Sequence, residues 1–439
     1  MDKISKIFVM ILAMNVIIQL GEYSVTGNYA YAGDEIYDVS KLRLSGYGTI
    51  SHTFDDRKDM TPIRDISKSS TSINDYDTNS TWRMDSRLGL QADYQFSPKV
   101  EFLIQGVLKD RADPTFTNSI ELAYIGLKPF NRFNVRAGRI GYDAFLMSDI
   151  RDTGYAYLWA RPPIEFYNMV AIFAINGADV TYDIEQGNVQ WRIKAQGGES
   201  HFGIDMDNYT NDFEAGNLCT LTLTRQSGPL KIKAGYSQFT SVNEATKTLG
   251  PLHRGLEAVA AIADNLSFPD IKAEALSLRN NISFKDNDVS YMTLGASYDN
   301  GTLIAQAEIG RSAAYGYFMP NAEMGYLSLG YRIGDFTPYG TFSSIDPNSD
   351  VNKPVSDWSA IESESFHSQS IGISNSTRAE QYTYSLGLRW DFNNQAALKL
   401  QWDNTHIRTY GYSMWLWEGE TFAHESKANL YTLSMEFVF

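Results

Sequence analysis

Two groups of charged residues are the chemistry-bearing feature of this 439-residue chain. One is basic: Arg43, Arg83, Arg87, Arg132, Arg136 and Arg139. The other is acidic and falls in one stretch: Asp143, Asp149, Asp152 and Glu165, with Arg161 among them. Rows of opposite charge facing each other across a wet gap would set up a transverse field, which aligns polar solutes and disfavours apolar ones. The plainer reading is that such charges only solvate a water-filled interior. Bond-making chemistry finds less support. It needs a nucleophile and a base held together. The six histidines, His52, His201, His253, His367, His406 and His424, fall in long loops or at strand ends, none in a Gly-x-Ser-x-Gly context. Asp55, Asp56 and Asp59 could hold a divalent cation, but solvation of a surface loop is the simpler account. No catalytic residue, metal site or cofactor is expected.

Strands must position these charges. In Tyr431–Phe439, the residues Tyr431, Leu433, Met435, Phe437 and Phe439 share one face, and Thr432, Ser434 and Glu436 the other. Period-2 alternation of this kind makes a strand with one apolar face. The same pattern runs through Leu42–Phe54, Trp82–Phe96, Val100–Lys109, Thr117–Leu127, Arg132–Arg139, Ala178–Glu185, Val189–Gln196, Leu218–Arg225 and Leu230–Phe239. It continues through Val289–Asp299, Thr302–Gly310, Glu323–Ile333, Phe336–Phe342, Tyr382–Trp390, Ala397–Asp403 and Asn429–Phe439. Turn dipeptides such as Asn300-Gly301 join pairs of them. Short connections alternate with long ones spanning 55–81, 110–116, 140–177, 197–217, 240–288, 311–322, 343–381 and 404–428.

Sixteen strands with all long loops at one end predict an all-β fold, an antiparallel transmembrane β-barrel with both termini at the short-turn end. Parity points the six arginines inward. Aromatics near strand ends, among them Phe96, Tyr182, Tyr331, Trp390 and Trp402, read as interfacial girdles. Cys219 shares a face with Leu221 and Leu223 and reads as a small lipid-facing residue. Gly255–Asp264 reads as a short helix in the fifth long loop.

The N-terminus supplies an address. Lys3 and Lys6 precede an apolar run, Ile7 to Leu20, and Ala30-Tyr31-Ala32 follows as an A-x-A cleavage pattern. The run falls short of the ~20 residues a spanning helix needs. Residues 1–32 therefore read as a signal peptide and 33–439 as the barrel. Plentiful Tyr (27) and Phe (23) with a mean hydropathy of −0.30 suit strands that are half polar by construction. A single cysteine rules out an intrachain disulfide, and a net charge of −15 argues against a nucleic-acid partner. The remaining rivals are a barrel-type outer-membrane enzyme and a soluble secreted β-sandwich.

The segment Asp152-Thr-Gly-Tyr-Ala-Tyr-Leu-Trp-Ala-Arg-Pro-Pro-Ile-Glu-Phe-Tyr167 is similar to a Gly-Tyr-Ala-Tyr-Pro-Trp-x-Arg-Pro-Pro stretch of porins from environmental proteobacteria, with Leu158 in place of the proline. The chain thus resembles a sixteen-stranded Gram-negative porin. It lacks the Pro-Glu-Phe-Gly-Gly loop of enteric porins, so their loop fold and pore size are not implied. The resemblance implies an outer-membrane location and a third loop folded inward to narrow the pore. It further implies a homotrimer, and passive diffusion of small hydrophilic solutes and ions. The arginines would form the basic wall of the constriction, and Asp143, Asp149, Asp152, Arg161 and Glu165 its loop side. Phe437 and Phe439 would close the barrel, and Phe439 would be read by the barrel-assembly machinery. A substrate-specific channel for oligosaccharides or anions stays open as an alternative. The aromatic cluster Tyr155, Tyr157, Trp159, Phe166 and Tyr167 is too apolar for a free loop and is expected to pack on the barrel wall.

Overall fold

Sixteen alternating segments pair edge to edge and close on themselves. The computed structural model describes residues 29–32, 35–38, 41–67, 80–206, 209–316, 321–417 and 424–439. The barrel strands are β1 (Leu42–Asp55), β2 (Arg87–Ser97), β3 (Val100–Lys109), β4 (Ile120–Phe130), β5 (Phe133–Gly141), β6 (Ala174–Gln186), β7 (Val189–Met206) and β8 (Tyr209–Ser227). They continue as β9 (Leu230–Ser241), β10 (Asp288–Asp299), β11 (Leu303–Ala314), β12 (Ala322–Tyr331), β13 (Phe336–Pro347), β14 (Ala379–Asn393), β15 (Ala396–Tyr412) and β16 (Ser426–Val438). Each pairs antiparallel with its sequence neighbours, and β16 returns to β1 from Leu430↔Asp55 to Val438↔Tyr47. The expected signal peptide lies outside the described residues, save Tyr29–Ala32, which pairs with Glu35–Asp38.

The two faces of the wall differ as a lipid-facing barrel requires. Leu44, Leu90, Leu108, Ile125, Met292, Ile309, Leu327, Leu386 and Leu400 are exposed on the outside. Phe96, Phe130, Tyr182, Tyr331, Phe336 and Trp390 ring the short-turn end, while Phe54, Tyr384 and Tyr431 lie towards the other. Cys219 is exposed as expected. Inward positions are polar: Thr49, Ser51, Thr220, Thr222, Ser328, Thr341, Thr383, Gln401, Thr432 and Ser434 are all buried. Such a wall satisfies every strand donor and acceptor within the sheet and leaves no edge, which is what a membrane demands of strands.

The closure is a glycine–aromatic seam. The backbone N–H of Phe439 donates to Gly46 O and that of Gly46 to Phe439 O, both at 2.9 Å. The rings of Phe437 and Phe439 are 18° from parallel and lie where a Cβ at Gly48 or Gly46 would stand.

Several boundaries depart from the sequence expectation. The loop expected over 197–217 is instead a continuation of β7 and β8, with 18 and 19 residues. A bulge between Gly198 and Ser200 carries the ladder on, and Phe202 packs on Phe213 at 4.9 Å. The extra residue lies in β8, where Gly216 and Asn217 together oppose Glu199 and Asn217 takes a φ of 50°. About 10 residues cross a membrane in a tilted strand, so this hairpin stands well beyond it. The second strand begins at Arg87 rather than Trp82. Only Ser80–Thr81 pairs with β1 before it, and Met84, expected on the outside, is buried. The fifth-loop helix is longer than expected, α1 (Thr246–Asn265), and a second, α2 (Pro269–Asn281), follows it. The seventh loop carries α3 (Glu364–Asn375).

Candidate functional site

A polar inner wall cannot hold a loop by apolar contact alone, and the third loop, residues 142–173, is held chiefly by hydrogen bonds and charge. Its aromatic residues do supply an apolar spine. Trp159 and Phe166 are almost fully buried, and Phe145, Phe166 and Tyr167 meet Tyr291 and Tyr326 of the wall edge to face or tilted. Two of the aromatic polar tips reach partners on the wall. Trp159 Nε1 donates to Ser328 Oγ at 2.8 Å and Thr341 Oγ1 at 2.9 Å, and the Tyr167 hydroxyl to Glu308 at 2.7 Å.

Cationic side chains of the wall grip the loop's backbone. Lys399 Nζ on β15 donates to the carbonyls of Gly154, Tyr157 and Trp159 at 2.7, 2.8 and 2.8 Å. Arg389 on β14 reaches the carbonyls of Tyr155 and Tyr157, both at 2.9 Å. Arg87 Nε donates to Asp152 O at 2.6 Å, and its Nη2 reaches the Tyr157 hydroxyl. A glycine is needed at 154 because a Cβ there would overlap the carboxylate of Glu436.

The expected acidic side of the loop is largely neutralised. Asp143 is ion-paired with Lys194 at 2.9 Å and with Lys233. Asp152 binds Lys109 Nζ at 2.8 Å. Glu165 is fully buried and accepts from Ser343, Gln381 and Thr383. Arg161 pairs with Asp85 and donates to Thr53 Oγ1 at 3.1 Å. This pair explains why the chain before β2 leaves the wall: it carries Met84 and Asp85 inward to Arg161. Asp149 stays exposed.

The expected basic wall is dispersed. Arg87 and Arg136 point inward, but Arg136 is held by Asp179 and lies over Tyr124 at 4.9 Å. Arg43 sits near the short-turn end beside Asp93 at 3.5 Å, largely exposed. Arg83 precedes β2 and pairs with Asp110 at 3.1 Å. Arg132 lies in the turn between β4 and β5, not in a strand. Arg139 is separated from Arg136 by Gly138, whose φ of 129° interrupts the regular strand, and it does not join Arg136. It lines a separate cavity with Arg64, Lys109 and Arg111. The sequence reading missed Lys109, Lys233, Glu308, Arg389 and Lys399. Their one signal was charge at inward-facing strand positions, which does not say what lies opposite.

A cavity of about 140 Å³ remains between the loop and the wall of β1 to β5. Tyr47, Gln91, Gln105 and Arg136 line it from the wall, and Asp149 and Asp152 from the loop. One other polar cluster has the residue types of a hydrolase. Glu274 accepts from the Ser356 hydroxyl and from His367 at 2.9 Å. The acid lies between hydroxyl and imidazole, whereas a triad needs the imidazole in the middle.

No family model matches this sequence, and no curated protein does. Among solved structures, OmpT of Vibrio cholerae is similar at 13% identity, with 92% of this chain and 100% of that chain covered and a TM-score of 0.49. Salmonella typhi OmpF in complex with daunomycin shares 12% identity over 94% of this chain and 100% of that chain, with a TM-score of 0.49. An anion-selective porin from Comamonas acidovorans shares 13% over 91% and 99%, with a TM-score of 0.48. The architecture rests on this chain's own pairings. Closed antiparallel strands, an apolar aromatic-flanked exterior and a polar interior make it a membrane-spanning β-barrel of the outer-membrane kind.

Proposed function

We propose that this protein is an outer-membrane channel through which small hydrophilic solutes and ions diffuse, narrowed by its third loop. The observation that carries the reading is the charged cavity left between that loop and the β1–β5 wall inside a closed, polar-lined barrel. Sixteen strands enclose more space than side chains alone fill. On this reading the loop narrows that space, and the cavity lined by Arg136 and Asp149 forms part of the passage. The long loops face outward from the cell, and residues 1–32 are removed on export. Assembly through the Phe437–Phe439 seam by the barrel-assembly machinery and a homotrimeric state complete the reading. The net charge of −15 and the exposed Asp149 favour cations.

Planar-bilayer recording tests this. Purified protein should give stepwise, ohmic conductance, and a salt gradient should give a reversal potential of the cation-preferring sign. Absence of conductance steps overturns the channel. A second reading, a substrate-specific channel, is favoured by how much of the lumen the loop occupies. Concentration-dependent block by one solute class, and not by others of equal size, would select it over general diffusion.

A further inference from the structure

A second cavity, about 50 Å³, lies at the long-loop end where the first loop, the second loop and the upper part of β7 meet. Four cations line it: Arg64, Lys109, Arg111 and Arg139. The buried nitrogens Arg64 Nη1, Arg111 Nε and Arg139 Nε have no hydrogen-bond partner among the described residues. Leaving charged donors buried and unmade is costly, and all three belong to side chains that line this one cavity. Other donors of the cluster are engaged. Arg64 Nε binds Asp65 at 2.9 Å, Arg111 Nη2 binds Glu121 at 2.6 Å, and Lys109 binds Glu121 at 3.0 Å and Asp152 at 2.8 Å. Arg139 forms no ion pair among the described residues, and Glu121 lies near enough to act on its charge. Asp113, the other carboxylate of the lining, takes up the side-chain amide of Asn118 at 2.7 Å. The carboxylates are thus engaged, while guanidinium donors remain.

We propose that this cavity binds a phosphate-sized oxyanion. A single water needs ~10–15 Å³ by the same measure. The cavity therefore has room for roughly four such atoms, about the size of a phosphate and far below that of a nucleotide. Guanidinium groups match oxyanions in charge and in the planar geometry of their donors. Glu121 and Phe173 line both this cavity and the larger one, so the anion would sit beside the passage and not in it. The ligand is either free inorganic phosphate or the phosphate of a lipid at the outer leaflet.

The test uses the detergent-folded full-length barrel, with heat-modifiable gel migration as the measure of unfolding. Inorganic phosphate at constant ionic strength, against chloride, should raise the unfolding temperature of the wild type. Arg139→Gln should weaken the apparent affinity about tenfold or more. Arg64→Gln serves if Arg139→Gln does not fold, and Arg139→Lys should restore part of the effect. A second arm uses a short-chain phosphatidic acid below its micellar concentration. Stabilisation by that lipid alone, lost in Arg139→Gln, assigns the lipid source. No stabilisation by either ligand, or equal stabilisation of wild type and both glutamine variants, overturns the site. None of these readouts depends on conductance, so failure of the channel reading would leave this result standing on its own.

Discussion

The third loop and the fifth- and seventh-loop helices are both long connections folded back on the molecule, yet they are held by opposite means. The third loop meets a polar wall. Lys399 and Arg389 take up its carbonyls, and buried ion pairs fix Asp143, Asp152 and Arg161. The helices meet each other. Leu249, Leu252, Leu256, Val259 and Ala263 of α1 and Ile271, Ala275 and Leu278 of α2 are buried, as a soluble helical pair would bury them. One polar link ties α2 to the seventh loop. Glu274 accepts from Val355 N at 2.8 Å, from Ser356, from Trp358 Nε1 at 3.1 Å and from His367. Trp358 stacks on His367 with centroids 4.2 Å apart. The difference teaches that the partner surface dictates the means. Inside the barrel the wall offers donors and charge, whereas above it the loops must build their own apolar core.

The comparison would break first at Lys399. Lys399→Met leaves three carbonyls and the carboxylate of Glu436, 4.0 Å away, without their cation. Removing one partner of a buried charge network costs about 3–5 kcal/mol. The unfolding midpoint should fall, and single-channel traces should become noisy as the loop loosens. Quiet traces with an unchanged midpoint would mean that the carbonyl clamp does not hold the loop.

Trp358→Ala should leave the barrel intact and open the helices. Removing a buried indole costs about 3 kcal/mol. Limited proteolysis should then cut within 242–287 and 348–378, with the barrel core protected and its unfolding midpoint unchanged. A matching drop in barrel stability would show that the two regions are one cooperative unit.

The smallest effect is expected at Glu274, and it depends on pH. Burial pushes this carboxyl up, but hydrogen bonds from Ser356, Val355 and His367 outweigh burial and hold it below its ordinary value of 4.5. A carboxyl lowered by folding stabilises the folded form above its unfolded value, and that contribution fades as pH falls through the folded value. Hydrogen exchange in α2 and α3 should therefore quicken as pH drops below about 4.5, after correction for the intrinsic rate. Glu274→Gln should cost about 1–2 kcal/mol at neutral pH and flatten that dependence. A wild-type profile indistinguishable from that of the variant would remove Glu274 as the link.

The barrel was legible in the chain because alternation is a local property. Val100–Lys109 begins and ends where the pattern does. The Asn300-Gly301 turn, the outward Leu221 and Leu223, and the terminal strand beside β1 follow from residue type and parity. Legibility failed where a tertiary contact overrode the local signal. Residues 197–217 read as a loop, yet the ladder continues through them past a bulge at Gly216–Asn217, and Phe202 packs on Phe213 across the extended hairpin. Trp82–Ser86 alternates like a strand, but Arg161, 76 positions from Asp85, draws it off the wall.

The sequence by itself determined which residues face lipid and which face the lumen, since a strand's two faces follow from its period. Tertiary structure alone decided how the inward charges combine. Lys194, Lys233 and Lys399 stand at inner-face strand positions, but only the path of the third loop brought Asp143 between two of them and three carbonyls to the third. Coulomb and hydrogen-bond energies depend on distances between atoms far apart in sequence, and no local pattern carries those distances.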